Sequence, residues 1–488
     1  MEAAANGTTA ATASWRRAVV LYPSPGTGHL FAMVELGRTL SARGLAVTIL
    51  VADAPYYTGA PAVLADVSAA SPSITFHRLL PPAAADLPPP EAYKHPEAMI
   101  MEAARAHNPQ LRAFLASSPP GAAALVVDMF CGAALDVAEE LGVPAYFFFT
   151  SGAAVLAFLL HLPAMHARAA ASFGEMGEEL VRVPGVPPFP ATHVADGLKE
   201  RDDVAYDGYM RVSAGLSRAR GVIVNTFRSL EPRAVAAIAA GLCAPPGLPT
   251  PPVHCIGPLV NSQDLHVAEG GEECLAWLDR QSKASVVFLC FGSLGRFSAE
   301  QTREVAAGLE ASGQRFLWVV RAPPPNDDGD PAMKYEKPPE PDLDALLPDG
   351  FLRRTEDRGL VVKSWAPQRE VLAHGAVGGF MTHCGWNSVL EAVMTGVPML
   401  GWPLYAEQRF NRFVLEEELR LTVPLQGCDN GFVAADEVAA KVRWLMDSDG
   451  RTTLRERTLA VMGQAKEALR KGGDSEAALA QLVDSWRN

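Results

Sequence analysis

An apolar run, AVVLYPS, is followed by a glycine turn, PGTGH, an amphipathic stretch, LFAMVELGRTLSAR, a stop at Gly44 and a second apolar run, LAVTILVAD. Leu30, Met33, Val34 and Leu40 recur near helical spacing, so the segment spells strand, helix, strand. Strands this apolar are buried on both faces, and a helical crossover makes them parallel. The pattern returns in AALVVD, GAALDVAEELG and VPAYFFFT, which predicts a doubly wound α/β domain.

The second half repeats the grammar. Strands are expected at SVVFLCFGS, RFLWVV, GLVVKSW, GGFMTH and VPMLGWP, and helices near 299 to 312, at SVLEAVMTG and at EQRFNRFVLEEELR. A chain of 488 residues exceeds one compact core, which agrees with two such domains. The proline- and glycine-rich stretch 242 to 260 suits a linker, placed at 246–260, between domains at 1–245 and 261–470. The polar, proline-rich segment 322 to 346 reads as a mobile surface loop. Two open sheets facing each other leave a cleft at their strand carboxyl ends, where ligands of such folds sit.

Composition narrows the partners. A formal net charge of −13 repels phosphate polymers and anionic lipid surfaces, so neither nucleic acid nor membrane insertion is expected. The seven cysteines form no C-x-x-C pair and no zinc-like spacing with histidine; they read as free thiols of a reducing compartment, with no metal bound. The opening MEAAANGTTAATASWRR lacks the apolar core of a signal peptide. The longest apolar run, GAAVLAFLL at 152 to 160, is too short to span a bilayer, so a cytoplasmic protein is expected.

In PSPGTGHL, Gly26 and Gly28 let the backbone turn after the first strand and bring His29 to the next helix. A dinucleotide fingerprint would need a third glycine where Phe31 stands, which argues against a nicotinamide or flavin enzyme. A lone histidine here can simply cap or pack. In ALVVD, however, Asp128 also ends a strand of the same sheet, and a carboxylate beside His29 would make it an oriented general base. Asp128 suits a helix N-cap equally well, and the sequence leaves both open.

In THCGWNSVLEAVMTGVP the strand ends near His383, Gly385 permits a turn, and a helix begins near Asn387 and Ser388. A helix N-terminus offers unpaired N–H groups to a diphosphate, and His383, Asn387 and Ser388 add side-chain donors. Glu391 lies one turn along on the same face, where a carboxylate can accept from ribose hydroxyls. Ser293 stands at another strand end. Trp365 can stack on a base whose edge the Ala366 backbone reads, and Glu407, Gln408 and Trp386 suit a hexose. Together these describe a nucleotide-sugar site.

The stretch from Trp365 to Gln408 resembles the signature box of plant family 1 UDP-glycosyltransferases, and PSPGTGH, GVIVNTFRSLEP and FGS extend the resemblance along the chain. It implies the two-domain GT-B fold, with the acceptor mainly on the first domain, UDP-sugar mainly on the second, and a C-terminal helix at 471–488 returning to the first. By position, Trp365 and Ala366 match the uracil contacts, Gln368 and Glu391 the ribose contacts, and Ser293, His383, Asn387 and Ser388 the diphosphate contacts. Trp386, Glu407 and Gln408 match the sugar contacts, Thr150 a sugar or phosphate contact, Thr27 a position beside the base, and His29 with Asp128 the catalytic pair. Many members carry Asp where this chain has Glu407.

The reaction so implied is inverting transfer of glucose from UDP-glucose, as co-substrate, to a hydroxyl of a small flavonoid-like phenolic. It would need no permanently bound cofactor, with the helix N-terminus and His383 absorbing the diphosphate charge. Phe130 and Phe147 to Phe149 suit an aromatic acceptor pocket or simply a buried strand. C-glucosylation by the same fold and a noncatalytic UDP-sugar-binding protein are the alternatives, and a monomer is expected.

Overall fold

The computed structural model describes residues 18–487, apart from 55, 57, 84–86, 90–91, 118–120, 261–270 and 326–336. The apolar runs of the first half form β1 (Ala18–Tyr22), β2 (Ala46–Ala52), β3 (Ile74–Leu79), β4 (Ala122–Asp128) and β5 (Ala145–Phe149). After a short antiparallel hairpin, β6 (Leu180–Val181) with β7 (Phe189–Pro190), come β8 (Gly221–Val224) and β9 (Val253–Cys255). All but the hairpin pair in parallel in the order β3-β2-β1-β4-β5-β8-β9. Alternate residues bury on opposite faces: Val20, Tyr22, Leu125 and Val127 join one core, and Val19, Leu21, Ala124 and Val126 another.

The second sheet comprises β10 (Val286–Cys290), β11 (Arg315–Val320), β12 (Gly359–Lys363), β13 (Val377–Thr382), β14 (Met399–Gly401) and β15 (Thr422–Pro424). Its order is β12-β11-β10-β13-β14-β15, again all parallel. The run GLVVKSW stops at Lys363 because Ser364 turns at φ 62°. The expected helices are present as Ala299–Ser312, Trp386–Thr395 and Gln408–Glu417.

Within the stretch 246–260, residues 253–255 form β9, the edge strand of the first sheet. Part of the surface loop expected at 322 to 346 lies outside the described residues, and Leu343–Leu346 forms one helical turn. The helix Asp474–Arg487 lies on the first sheet, burying Leu479, Leu482, Val483 and Trp486 with Val19, Leu21 and Tyr146. Its Ser475 Oγ donates to the Gly257 carbonyl at 2.6 Å, and Trp486 meets Tyr146 edge-on at 5.3 Å. Among the described residues no helix is long and apolar enough to cross a membrane; the run 152–160 lies instead in the buried helix Ala153–Arg168.

Each sheet reverses its winding at one point. The first turns back between β1 and β4, the second between β10 and β13. Side chains at the carboxyl ends of those strands therefore line a crevice in each half.

Candidate active site

His29 sits in the first turn of the helix Thr27–Ser41, just after β1, and Asp128 ends β4, so both stand at the first switch point. His29 Nδ1 donates to Asp128 Oδ2 at 2.7 Å. The other carboxylate oxygen, Oδ1, accepts from Phe130 N at 3.0 Å, capping the 3-10 turn Met129–Cys131. Both readings of Asp128 are realised, one oxygen for each. The cap fixes a fully buried carboxylate, and the carboxylate fixes the imidazole with Nε2 unprotonated. His29 itself remains 29% exposed. Burial pulls its pKa down, but the charge and hydrogen bond of Asp128, with the charge of Glu407, outweigh it and hold His29 above the ordinary value of about 6.5.

Three residues near the pair tie it to its surroundings. Thr150, just past β5, has Oγ1 3.3 Å from His29 Nδ1. Thr27 Oγ1 donates to the Thr58 carbonyl at 3.2 Å, which binds the helix start to a neighbouring loop. Phe130 stands with its ring centroid 5.5 Å from that of His29 and 6.3 Å from that of Tyr209. Phe147, Phe148 and Phe149 are fully buried in the two faces of the sheet. Of the four phenylalanines considered for an acceptor wall, only Phe130 faces the site.

At the second switch point, His383 follows β13 and is flanked by Gly292 and Gly385. A Cβ added at Gly292 would lie 2.5 Å from His383 Nε2, and one at Gly385 would also collide, so both positions must lack a side chain. Burial first, then the positive charge of Arg321, lowers the His383 pKa to about 4. In the free protein this keeps His383 neutral, so that it meets an incoming diphosphate as an N–H donor and not as a preformed cation. Its Nδ1 is buried with no hydrogen-bond partner among the described residues.

The helix Trp386–Thr395 begins after Gly385 with no side chain capping it, which leaves first-turn N–H groups available to an anion. Gln368 Nε2 donates to Ser388 Oγ at 2.8 Å and to Glu391 Oε2 at 2.7 Å, so these three are already one cluster. Burial raises the Glu391 pKa to about 7 against the opposing Gln368 bond. Trp365 is half-buried, Ala366 is buried, and Ser293 is exposed on the turn after β10.

Other expected donor contacts are engaged elsewhere. Trp386 is 4% exposed and its indole N–H donates to the Asn225 carbonyl at 2.7 Å, so its only side-chain donor is spent on joining the halves and not on a sugar hydroxyl. Asn387 Nδ2 donates to the Gly28 carbonyl at 3.1 Å, directly beside His29. Gln408 Oε1 accepts from Leu404 N and Tyr405 N at 2.9 and 3.1 Å, bracing the turn before its helix. Glu407 Oε1 accepts from Ser151 Oγ at 3.1 Å across the cleft and from Asn411 Nδ2 at 3.3 Å.

Sequence reasoning missed Ser151, Asn225 and Glu231. The Glu231 carboxylate accepts from Ala153 N, Ala154 N and Thr226 Oγ1 at 2.8, 2.9 and 2.6 Å, anchoring the helix that follows Ser151. Asn225 and Glu231 both lie in GVIVNTFRSLEP, a segment noticed for its resemblance but given no role. Arg321 was missed too, although it ends a strand as Asp128 and His383 do.

Residues 252–419 match the family model described as "UDP-glucoronosyl and UDP-glucosyl transferase". Anthocyanidin 5,3-O-glucosyltransferase of a Rosa hybrid cultivar is 43% identical over 486 residues, covering 96% of this chain and 99% of the relative. Phloretin 2'-O-glucosyltransferase of Pyrus communis gives the same 43% identity and the same coverage, 96% and 99%. Among solved structures, Phytolacca americana UGT2 complexed with UDP-2fluoro-glucose and pterostilbene superposes with a TM-score of 0.84 at 35% identity, covering 97% of this chain and all of that one. With two parallel-sheet domains, a histidine at each switch point and relatives matched almost end to end, the chain belongs to the plant family 1 UDP-glycosyltransferases and has the GT-B fold.

Proposed function

We propose that this enzyme transfers glucose from UDP-glucose to a hydroxyl of a small phenolic acceptor, giving a β-glucoside by direct, inverting displacement. The observation that carries this reading is the His29–Asp128 pair at 2.7 Å, joined to the donor-side helix through Asn387 and the Gly28 carbonyl. His29 Nε2 takes the acceptor proton, and Asp128 stabilises the imidazolium that results. A phenol ionises near pH 10, far more readily than an alcohol, so an imidazole raised above about 6.5 is well matched to it. The names of the rose and pear relatives, glucosyltransferases of anthocyanidin and phloretin, support a phenolic acceptor.

The remaining roles follow from placement. Trp365 and Ala366 take the uracil, Gln368 and Glu391 the ribose, and Ser293, His383, Ser388 and the helix N-terminus the diphosphate. Glu407, Thr150 and Gln408 are assigned to the sugar. The first domain holds the acceptor and runs on from the expected boundary at 245 through the edge strand β9 to residue 255, the second, 261–470, holds the donor, 256–260 connects them, and 471–488 returns to the first. Glu407 repels a sugar carboxylate by like charge, so UDP-glucuronate is disfavoured. The seven cysteines are free and buried, which supports work in the reducing cytoplasm, where we place the enzyme as a monomer.

The test is turnover of purified protein with UDP-glucose, UDP-galactose and UDP-glucuronate against a panel of phenolics, with product mass, linkage and acid lability determined. Acid-labile β-glucosides with UDP-glucose as best donor support the proposal. Preference for UDP-glucuronate would overturn the sugar assignment, and acid-resistant products would replace O-transfer with C-transfer.

A further inference from the structure

Thr150 and Ser151 follow β5, and their side chains reach toward different halves of the molecule. Thr150 Oγ1 lies 3.3 Å from His29 Nδ1 in the first domain, while Ser151 Oγ donates at 3.1 Å to Glu407 Oε1 in the second. Two successive residues thus connect the base to the carboxylate assigned above to the sugar. The charge of Glu407 is felt at His29, so the carboxylate stands near the reacting pair.

The contact is fixed from both sides. Ser151 is 4% exposed, and Gly152 after it is wedged in place: a Cβ there would lie 2.7 Å from Glu231 Oε1 and 2.9 Å from Trp386 Cη2. The next two backbone donors, Ala153 N and Ala154 N, are both held by Glu231. On the second domain, Asn411 Nδ2 donates to Glu407 Oε1 at 3.3 Å and to the carbonyl of Cys384, the neighbour of His383, at 3.1 Å. Ala406, just before Glu407, is strained in the left-handed region at φ 53°, as turns that aim a functional group often are. Both bonds to the carboxylate fall on Oε1, and Oε2 can meet a sugar hydroxyl.

We propose that Ser151 is a positioning residue for the donor sugar, its hydroxyl on the first domain setting the Glu407 carboxylate of the second against the hexose. The proposal deepens the donor-site reading above and rests on the sugar role given there to Glu407. Side-chain length makes the two a matched pair. An aspartate at 407 would end one carbon–carbon bond, about 1.5 Å, short of the present carboxylate, and a contact now at 3.1 Å would pass beyond hydrogen-bond reach.

The test is a double-mutant cycle in the full-length enzyme, with kcat/KM for UDP-glucose measured at one saturating phenolic and UDP affinity measured by calorimetry. Ser151→Ala should lower kcat/KM about tenfold, the worth of a hydrogen bond to a charged group, while affinity for UDP, which has no sugar, stays within about twofold. Glu407→Asp should lose about as much by itself. Adding Ser151→Ala to Glu407→Asp should then change kcat/KM by less than about twofold, because the bond is already gone. An equal loss from Ser151→Ala in both backgrounds would overturn the proposal, as would no loss in the unmodified background or a parallel loss of UDP affinity. Unchanged kcat/KM in Glu407→Ala would overturn the sugar role of Glu407 itself, and this proposal with it.

Discussion

His29 and His383 occupy corresponding places in the two halves, each at the switch point of a parallel sheet, yet their surroundings drive them in opposite directions. Burial acts against the charged form of both. At His29 it is outweighed by Asp128 and Glu407, and the pKa rises; at His383 the neighbouring charge is Arg321, burial goes unopposed, and the pKa falls to about 4. One histidine is a base with a carboxylate behind it, and the other is a neutral donor walled by two glycines. Fold position makes a residue available for chemistry, and the nearest charge decides which chemistry.

The largest effect that would sharpen this contrast is on turnover. His29→Ala should lower kcat by about a hundredfold to ten-thousandfold on a weakly acidic phenol, with UDP affinity almost unchanged. Asp128→Asn should lose less, because it misorients the base without removing it. Near wild-type turnover in His29→Ala would break the assignment.

Next comes the joint between the halves. Trp386→Ala removes a buried indole and its bond to Asn225, and should destabilise the protein by about 3 to 5 kcal/mol in chemical denaturation. Trp386→Phe should cost about 1 to 3 kcal/mol, because it leaves the Asn225 carbonyl without its donor. If both variants keep wild-type stability and lose only affinity for UDP-glucose, the sugar role first expected of Trp386 is restored.

On the donor side, Glu391→Ala and His383→Ala should each weaken UDP by roughly tenfold or more, since a hydrogen bond to a charged group contributes about 1.5 to 3 kcal/mol. Unchanged affinity in both, by calorimetry, would remove the nucleotide from this helix. The smallest effect concerns pH. Ribose hydroxyls donate to an ionised Glu391, whose pKa is raised to about 7 in the free protein. Uridine has no group of its own titrating in this range, so its affinity should be level above about pH 8 and fall, by up to about tenfold, toward about pH 5.5. Glu391→Gln should flatten that profile, and a wild-type profile that is already flat would contradict the ribose assignment.

Much of this was legible in the sequence, for a physical reason. Parallel strands buried on both faces are unbroken apolar runs, so the residue that ends each run is conspicuous, and Asp128 and His383 were found that way. Arg321 was open to the same argument at the end of RFLWVV. What stayed hidden depends on partners far along the chain. Nothing near Trp386 shows that its N–H meets Asn225, 161 positions earlier in the sequence, and nothing near Glu407 reveals Ser151. The edge strand β9 was obscured by the prolines and glycines around it. The charge state of His383 could not be read at all, because it follows from burial and from an arginine on another strand.

The most direct test of the contrast is an NMR pH titration of ring-labelled histidines, with His29 and His383 assigned through His29→Gln and His383→Gln. The account predicts that His29 titrates above about 6.5 and moves down in Asp128→Asn, while His383 stays neutral until about pH 4 and moves up in Arg321→Gln. A His383 that titrates at or above the ordinary value, or a His29 indifferent to Asp128, would contradict it.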